Sequence, residues 1–146
     1  ITTLDRAQHL AEACRYVPRG KRSFGSGRGA HFGHLTSVSK YMEHTNSQVL
    51  VIAQLEDVEV LDNLDEILAV DGIDLYASGP QDIAQSMGLP GQKDHPRVKE
   101  FEATIREAVH AAGKKTIFDV IVEARAADII LSGAEAFLQD QRNAGA

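Results

Sequence analysis

One cysteine, no tryptophan and four prolines in 146 residues exclude several common architectures. A lone Cys14 cannot close an internal disulfide and offers no partner for a thiolate metal cluster. No apolar run approaches the ~20 residues needed to cross a bilayer, so no membrane role is expected. No secretory signal pattern is visible, and the cytosol is the default compartment. Positive charge is the scarcer sign. Fifteen Lys and Arg face twenty-one Asp and Glu, a net charge of −6 that argues against a nucleic-acid partner. It is compatible with carboxylates gathered around a cation. Repeats and low-complexity blocks are absent. What remains is 43% hydrophobic and 25% charged, enough for one globular domain with a sizeable core.

Read in order, the chain begins with Thr3 before LDRAQHLAEACRYV. Leu4, Ala7, Leu10, Ala11 and Cys14 recur on one helical stripe, Thr3 suits an N-cap, and Pro18 and Gly20 stop the helix. Cys14 on that stripe reads as a small buried hydrophobe rather than a nucleophile. A Gly-rich loop follows, carrying Arg15, Arg19, Lys21, Arg22 and Arg28. It is either a solvated loop or a basic rim that attracts an anionic substrate. Gly25, Gly27 and Ala30 spell G-x-G-x-x-A, but no strand leads into them, so the dinucleotide signal is weak. His31 and His34 have a spacing a metal could use, though in a Gly-rich loop it is more often incidental.

TSVSKYMEHTNSQ predicts a short helix capped by Thr36 or Ser37, and VLVIAQL a strand buried on both faces, as in a parallel sheet. The next helix buries Val58, Leu61, Leu64, Ile67 and Leu68. Asp71-Gly72 turns the chain into a second strand, IDLYAS, and a further helix begins near Gln81. PRVKEFEATIREAVHAAG is a helix with Pro96 in its first turn and Gly113 past its end; His95 is loop or cap, and His110 lies on the surface. KKTIFDV predicts a third strand, and VEARAADIILSGAEAFLQDQ a last helix broken near Ser132-Gly133. Strands alternating with helices mean an α/β protein with parallel strands and right-handed crossovers.

In such a protein the ends of the strands are where ligands bind. Glu56 closes the first strand and Asp82 stands in the Gly79-Pro80-Gln81-Asp82 turn after the second. Gln54 and Glu56 are two residues apart and point the same way, which in a barrel strand is inward. Gly79 allows close backbone approach, Pro80 fixes the turn, and the N–H groups near Gln81 are free for an anion. Two carboxylates in one mouth make an oxygen-rich site suited to Mg2+ or Mn2+, with Co2+ a further candidate. Glu56 could instead simply start a helix, and Asp82 could merely complement a helix dipole.

CRYVPRGKRSFGS, VLVIAQLED, NLDEILAVDGID, SGPQDIAQSMGLPG and DHPRVKE, in that order between Ala7 and Ile117, resemble the metal-dependent class II pyruvate aldolases of the 4-hydroxy-2-oxoheptanedioate aldolase type. That family also holds 2-dehydro-3-deoxyglucarate aldolase and macrophomate synthase. The resemblance implies a (β/α)8 barrel, with residues 1–146 forming a single partial barrel domain, its C-terminal half to two thirds. It implies metal ligation by Glu56 and Asp82, Gln54 as a catalytic residue near the substrate carbonyl, and substrate binding at Gly79, Pro80, Gln81 and Asp82, the backbone at Gln81-Asp82 receiving a pyruvate carboxylate. It further implies reversible cleavage of a 4-hydroxy-2-oxo acid to pyruvate and an aldehyde through a metal-bound enolate, with no Schiff-base lysine. The expected partner is a small 2-oxo acid. The expected assembly is a homo-oligomer, a trimer of dimers that exchanges C-terminal helices, here Ala134 to Gln141. Two departures stand out. The half-barrel that in the family supplies a catalytic Arg and an Asp/His pair would precede Ile1, and the region after Ile117 is compressed. Related enolate chemistry on oxaloacetate and a non-catalytic barrel fragment are the alternative readings.

Overall fold

The computed structural model describes residues 1–35, 37–122 and 126–144. Its centre is a pair of short parallel strands, β1 (Ile52–Gln54) and β2 (Leu75–Ala77), registered Ile52 to Leu75 and Gln54 to Ala77. Main-chain bonds from Leu75 to Val51 and from Leu55 to Ala77 carry the pairing one residue past each end of β1. On the other edge of β1, the Ile1 nitrogen donates to the Gln54 carbonyl at 2.9 Å. On the far edge of β2, Tyr76 donates to the Lys115 carbonyl at 3.0 Å and bridges in parallel to Thr116. Four chain segments therefore lie side by side in chain order.

Four helices cover one face of this wall: α1 (Leu4–Cys14), α3 (Leu64–Leu68), α4 (Pro80–Ser86) and α5 (Pro96–Ala111); α2 (Val38–Gln48) precedes β1 and buries only Asn46. Their boundaries follow local chemistry. The Thr3 side chain caps α1 at Arg6 N, and Ser37 caps α2 at Lys40 N. Gly79 and His95 precede Pro80 and Pro96, which fill first-turn positions where a missing N–H costs nothing. The alternative cap Thr36 lies outside the described residues. Val51, Ala53 and Leu55 of the first strand region join Val60, Ile67, Tyr76, Ile83, Val98 and Ile105 in one core. Cys14 is partly buried against it, as a small hydrophobe would be.

Several expectations are corrected. The first strand is not buried on both faces: Leu50 and Gln54 are exposed and Ile52 half-buried, because among the described residues only one face meets helices. The helix expected to run from Val58 begins as a 3-10 turn over Val58–Asn63, with three residues per turn. That changes the phase, so Val60 is buried while Leu61 stays 43% exposed. The third strand reduces to the bridge at Thr116, because Thr116 and Asp119 cap each other and wind Ile117–Asp119 into a 3-10 turn. Asp119 also pairs with His110 at 2.9 Å, and these hydrogen bonds hold its carboxyl down at about 2. The last helix, α6 (Ala126–Ala144), runs through Ser132-Gly133 without a break.

Four of the five cations of the basic loop have partners. Arg15 is 5% exposed and donates to the Gly72 carbonyl and to Asp74. Lys21 pairs with Glu12, Arg19 donates to the Asn46 carbonyl, and Arg22 sits 4.9 Å over the Tyr16 ring. The side chain of buried Asn46 in turn accepts from Tyr16 N and donates to Tyr16 O, tying α2 to the loop. Gly25 and Gly27 lead into a 3-10 turn, Arg28–Gly33, with no strand before it, so the dinucleotide reading has no scaffold. His31 and His34 are both exposed on or beside that turn.

Candidate active site

Glu56 follows β1 by two residues, and Asp82 is the third residue of α4, just beyond β2. Gly79 lies between them. A Cβ built on Gly79 would stand 2.9 Å from Glu56 Oε2 and 3.2 Å from Asp82 Oδ2, which bounds the separation of those oxygens at about 6 Å. Gly79 has φ −115° and ψ 107°, a conformation any residue adopts. Its glycine character therefore serves space rather than backbone freedom. The Gln54 side-chain amide donates to Glu56 Oε2 at 3.3 Å, so these two do share one face of the strand. Burial first, then the Asp82 charge, raises the Glu56 pKa. Two like charges held this close favour a cation between them.

The donor set fits a hard divalent ion. It is all oxygen, it comes from two adjacent strand ends, and no side chain at position 79 intrudes. The described residues contain no group of three or more His, Cys, Asp or Glu able to hold a metal. Glu56 and Asp82 would thus leave most coordination positions to water and substrate oxygens. Pro80, Gln81 and Asp82 form the first turn of α4, and the Ile83 amide already bonds to the Gly79 carbonyl. Surface grooves are found away from the two carboxylates. One of about 570 Å³ runs between α1 and the Ala69–Gly72 turn, at the opposite end of β2.

Two residues near the carboxylates escaped the sequence reading. Asp57 caps the 3-10 turn at Glu59 N, and the Ser86 hydroxyl donates to Asp57 Oδ1 at 3.1 Å. The available signals were Asp57 standing before an apolar run, and Ser86 lying one helical turn after Asp82.

A profile of HpcH/HpaI aldolase/citrate lyase matches residues 1–141. The chain belongs to that family. It is 36% identical over 136 residues to a 2-keto-3-deoxy-L-rhamnonate aldolase of Shigella sonnei (strain Ss046), covering 92% of this chain and 50% of the relative. The chain thus spans about half the length of the curated relatives it matches. Among solved structures, it superposes on an HpcH/HpaI aldolase/citrate lyase family protein from Burkholderia cenocepacia J2315 with TM-score 0.73 and 27% identity, covering 97% of this chain and 62% of that one. Macrophomate synthase follows with TM-score 0.61 and 26% identity over 78% of this chain and 41% of that one. The mixed α/β wall is that of the family's distorted (β/α)8-like barrel, and the chain corresponds to a part of one.

Proposed function

We propose that this chain carries the metal-binding half of a divalent-metal-dependent aldolase, which cleaves a 4-hydroxy-2-oxo acid reversibly to pyruvate and an aldehyde. The observation that carries this reading is the pair of carboxylates, Glu56 and Asp82, facing each other across Gly79 at adjacent strand ends. Family membership supports it, as does the similarity to an aldolase whose name specifies a 2-keto acid. A bound Mg2+ or Mn2+ would supply Lewis acidity toward the oxygens of the 2-oxo acid.

The protein's part is to hold and orient. Glu56 and Asp82 act as ligands and so are poor candidates for the base that removes the 4-hydroxyl proton. Gln54 keeps Glu56 turned inward through its 3.3 Å hydrogen bond and offers its amide on the same face toward the substrate carbonyl. Gly79 leaves the space between the carboxylates open. Pro80 sets the first turn of α4, and the N–H groups of Gln81 and Asp82, which have no intrahelical acceptor in that turn, face the substrate carboxylate. No Schiff-base lysine is required: Lys21, Lys40, Lys93, Lys99, Lys114 and Lys115 all lie in loops or on helices, in keeping with the metal route. The oligomer, a trimer of dimers joined through α6, is part of the same proposal.

The test is pyruvate release from a 4-hydroxy-2-oxo acid by the full-length protein, before and after dialysis against EDTA. Chelation should abolish turnover, Mn2+ should restore it, and Glu56→Gln should prevent the restoration. Activity that survives exhaustive chelation would overturn the metal reading.

A further inference from the structure

Glu56 lies in the loop after β1 and Asp82 in the first turn of α4, and no main-chain ladder joins the two. The last backbone bond between the two units is Leu55 N to Ala77 O, at 2.8 Å. Beyond it the chain enters the Asp57–Asn63 turn on one side and α4 on the other. One side-chain link crosses back. The Ser86 hydroxyl accepts from Val58 N at 3.0 Å and donates to Asp57 Oδ1 at 3.1 Å. Asp57 Oδ1 also accepts from Glu59 N at 3.1 Å, which fixes the carboxylate on its own turn. Ser86 lies four residues after Asp82, so both side chains stand on one face of α4, a turn apart. Asp57 adjoins Glu56 in sequence. The result is a closed path: Glu56, Asp57, the Ser86 hydroxyl, one turn of helix, Asp82.

We infer that the Asp57–Ser86 clasp is a positioning device that sets the separation of the two metal-binding carboxylates. The inference rests on the reading of Glu56 and Asp82 as ligands. Ser86 suits the task because a hydroxyl both donates and accepts, and here each capacity is used on the same loop. Neither residue touches the ion or substrate in this scheme. They act through the groups beside them, as partners outside a coordination shell do when they orient its ligands.

The experiment is a Mn2+ titration of the full-length protein without substrate, followed by the free-ion electron paramagnetic resonance signal, with a thermal melt of each variant. Ser86→Ala loses both hydrogen bonds and should weaken Mn2+ binding about tenfold. Ser86→Thr keeps the hydroxyl and should return to within about twofold of wild type. Asp57→Ala leaves the Val58 N–H bond to Ser86 in place and should cost less than Ser86→Ala, and the double variant should cost no more than Ser86→Ala alone, since the Asp57 bond runs through Ser86. If Ser86→Ala and Asp57→Ala bind Mn2+ like wild type, whatever their melting temperatures, the clasp has no positioning role. If Ser86→Thr binds as poorly as Ser86→Ala, side-chain packing is responsible and the inference is wrong. Glu56→Gln in the same titration separates the two levels. Wild-type binding by Glu56→Gln would overturn the ligand assignment and the clasp with it. Lost binding there, alongside unaffected Ser86→Ala, would overturn the clasp alone.

Discussion

A methyl group at position 79 would press on Glu56 Oε2 and Asp82 Oδ2 at 2.9 and 3.2 Å. Both atoms end flexible side chains, so Gly79→Ala should fold normally, with a melting temperature close to wild type. The carboxylates would have to swing apart, and Mn2+ affinity measured by calorimetry should fall about tenfold. Gln81→Ala should leave it unchanged, because Gln81 is exposed and only its backbone is invoked. The sequence pointed to Gly79 for backbone approach; the contact that matters, with two carboxylates from different loops, is tertiary and has no local signature. Tyr76 is a second residue that patterning hides. It sits in β2, 0% exposed, with no partner for its hydroxyl among the described residues. Burial pushes its pKa up to about 12. A tyrosine with a folded pKa above the unfolded value contributes stability that is intact below pH ~10 and is lost as pH rises toward 12. Spectrophotometric titration, compared with that of Tyr76→Phe, should show Tyr76 ionising only with alkaline unfolding, and Tyr76→Phe should move that unfolding to higher pH. Ionisation of Tyr76 near pH ~10 in the folded protein would contradict this.

Among the elements, helix starts were legible because their signals are local. Thr3, Ser37, Pro80 and Pro96 each act within one turn of their own backbone. KKTIFDV misleads for the opposite reason. Its apolar residues read as a strand, but Asp119 reaches back to Thr116 N at 2.6 Å and ends the extended chain after one bridge. How α1 is fastened to the wall was equally hidden. Arg15, at the C-terminal end of α1, spans to Asp74 at the start of β2, and the same Asp74 oxygen accepts from Val51 N, both at 2.7 Å. One carboxylate thus ties a helix to both strands. Arg15 Nε has no acceptor among the described residues, so the guanidinium has little in reserve. Asp74→Ala would leave the buried Arg15 cation with the Gly72 carbonyl but no counter-charge, and the Val51 N–H unsatisfied. Discounted for the part-exposed carboxylate, the cost should be about 2–3 kcal/mol. A thermal melt should show a drop of roughly 5–10 °C, with Mn2+ binding unchanged at temperatures where the variant is folded. An unchanged melt would mean that the ion pair contributes nothing.

At the scale of the molecule, the α/β alternation and the placement of two carboxylates at adjacent strand ends follow from the order of segments in the chain. What covers the remaining surfaces does not. α6 illustrates this. Its sequence is amphipathic, yet none of its described residues is buried, and Phe137 and Leu138 remain 62% and 54% exposed. An apolar helical face left open within its own chain is a candidate for association. Under the proposed trimer of dimers, α6 packs on another subunit, so its apolar residues should stabilise the assembly and not the protomer. Phe137→Glu places a charge on that face without disturbing any buried contact of its own chain. Light scattering on the full-length protein should give a hexamer for the wild type and smaller species for Phe137→Glu at the same micromolar concentration. The circular dichroism of the variant should still report a folded α/β protein, because Phe137 lies outside the core built on β1 and β2. A wild-type monomer would dispose of the assembly. A variant that stays hexameric would place the subunit contact away from α6.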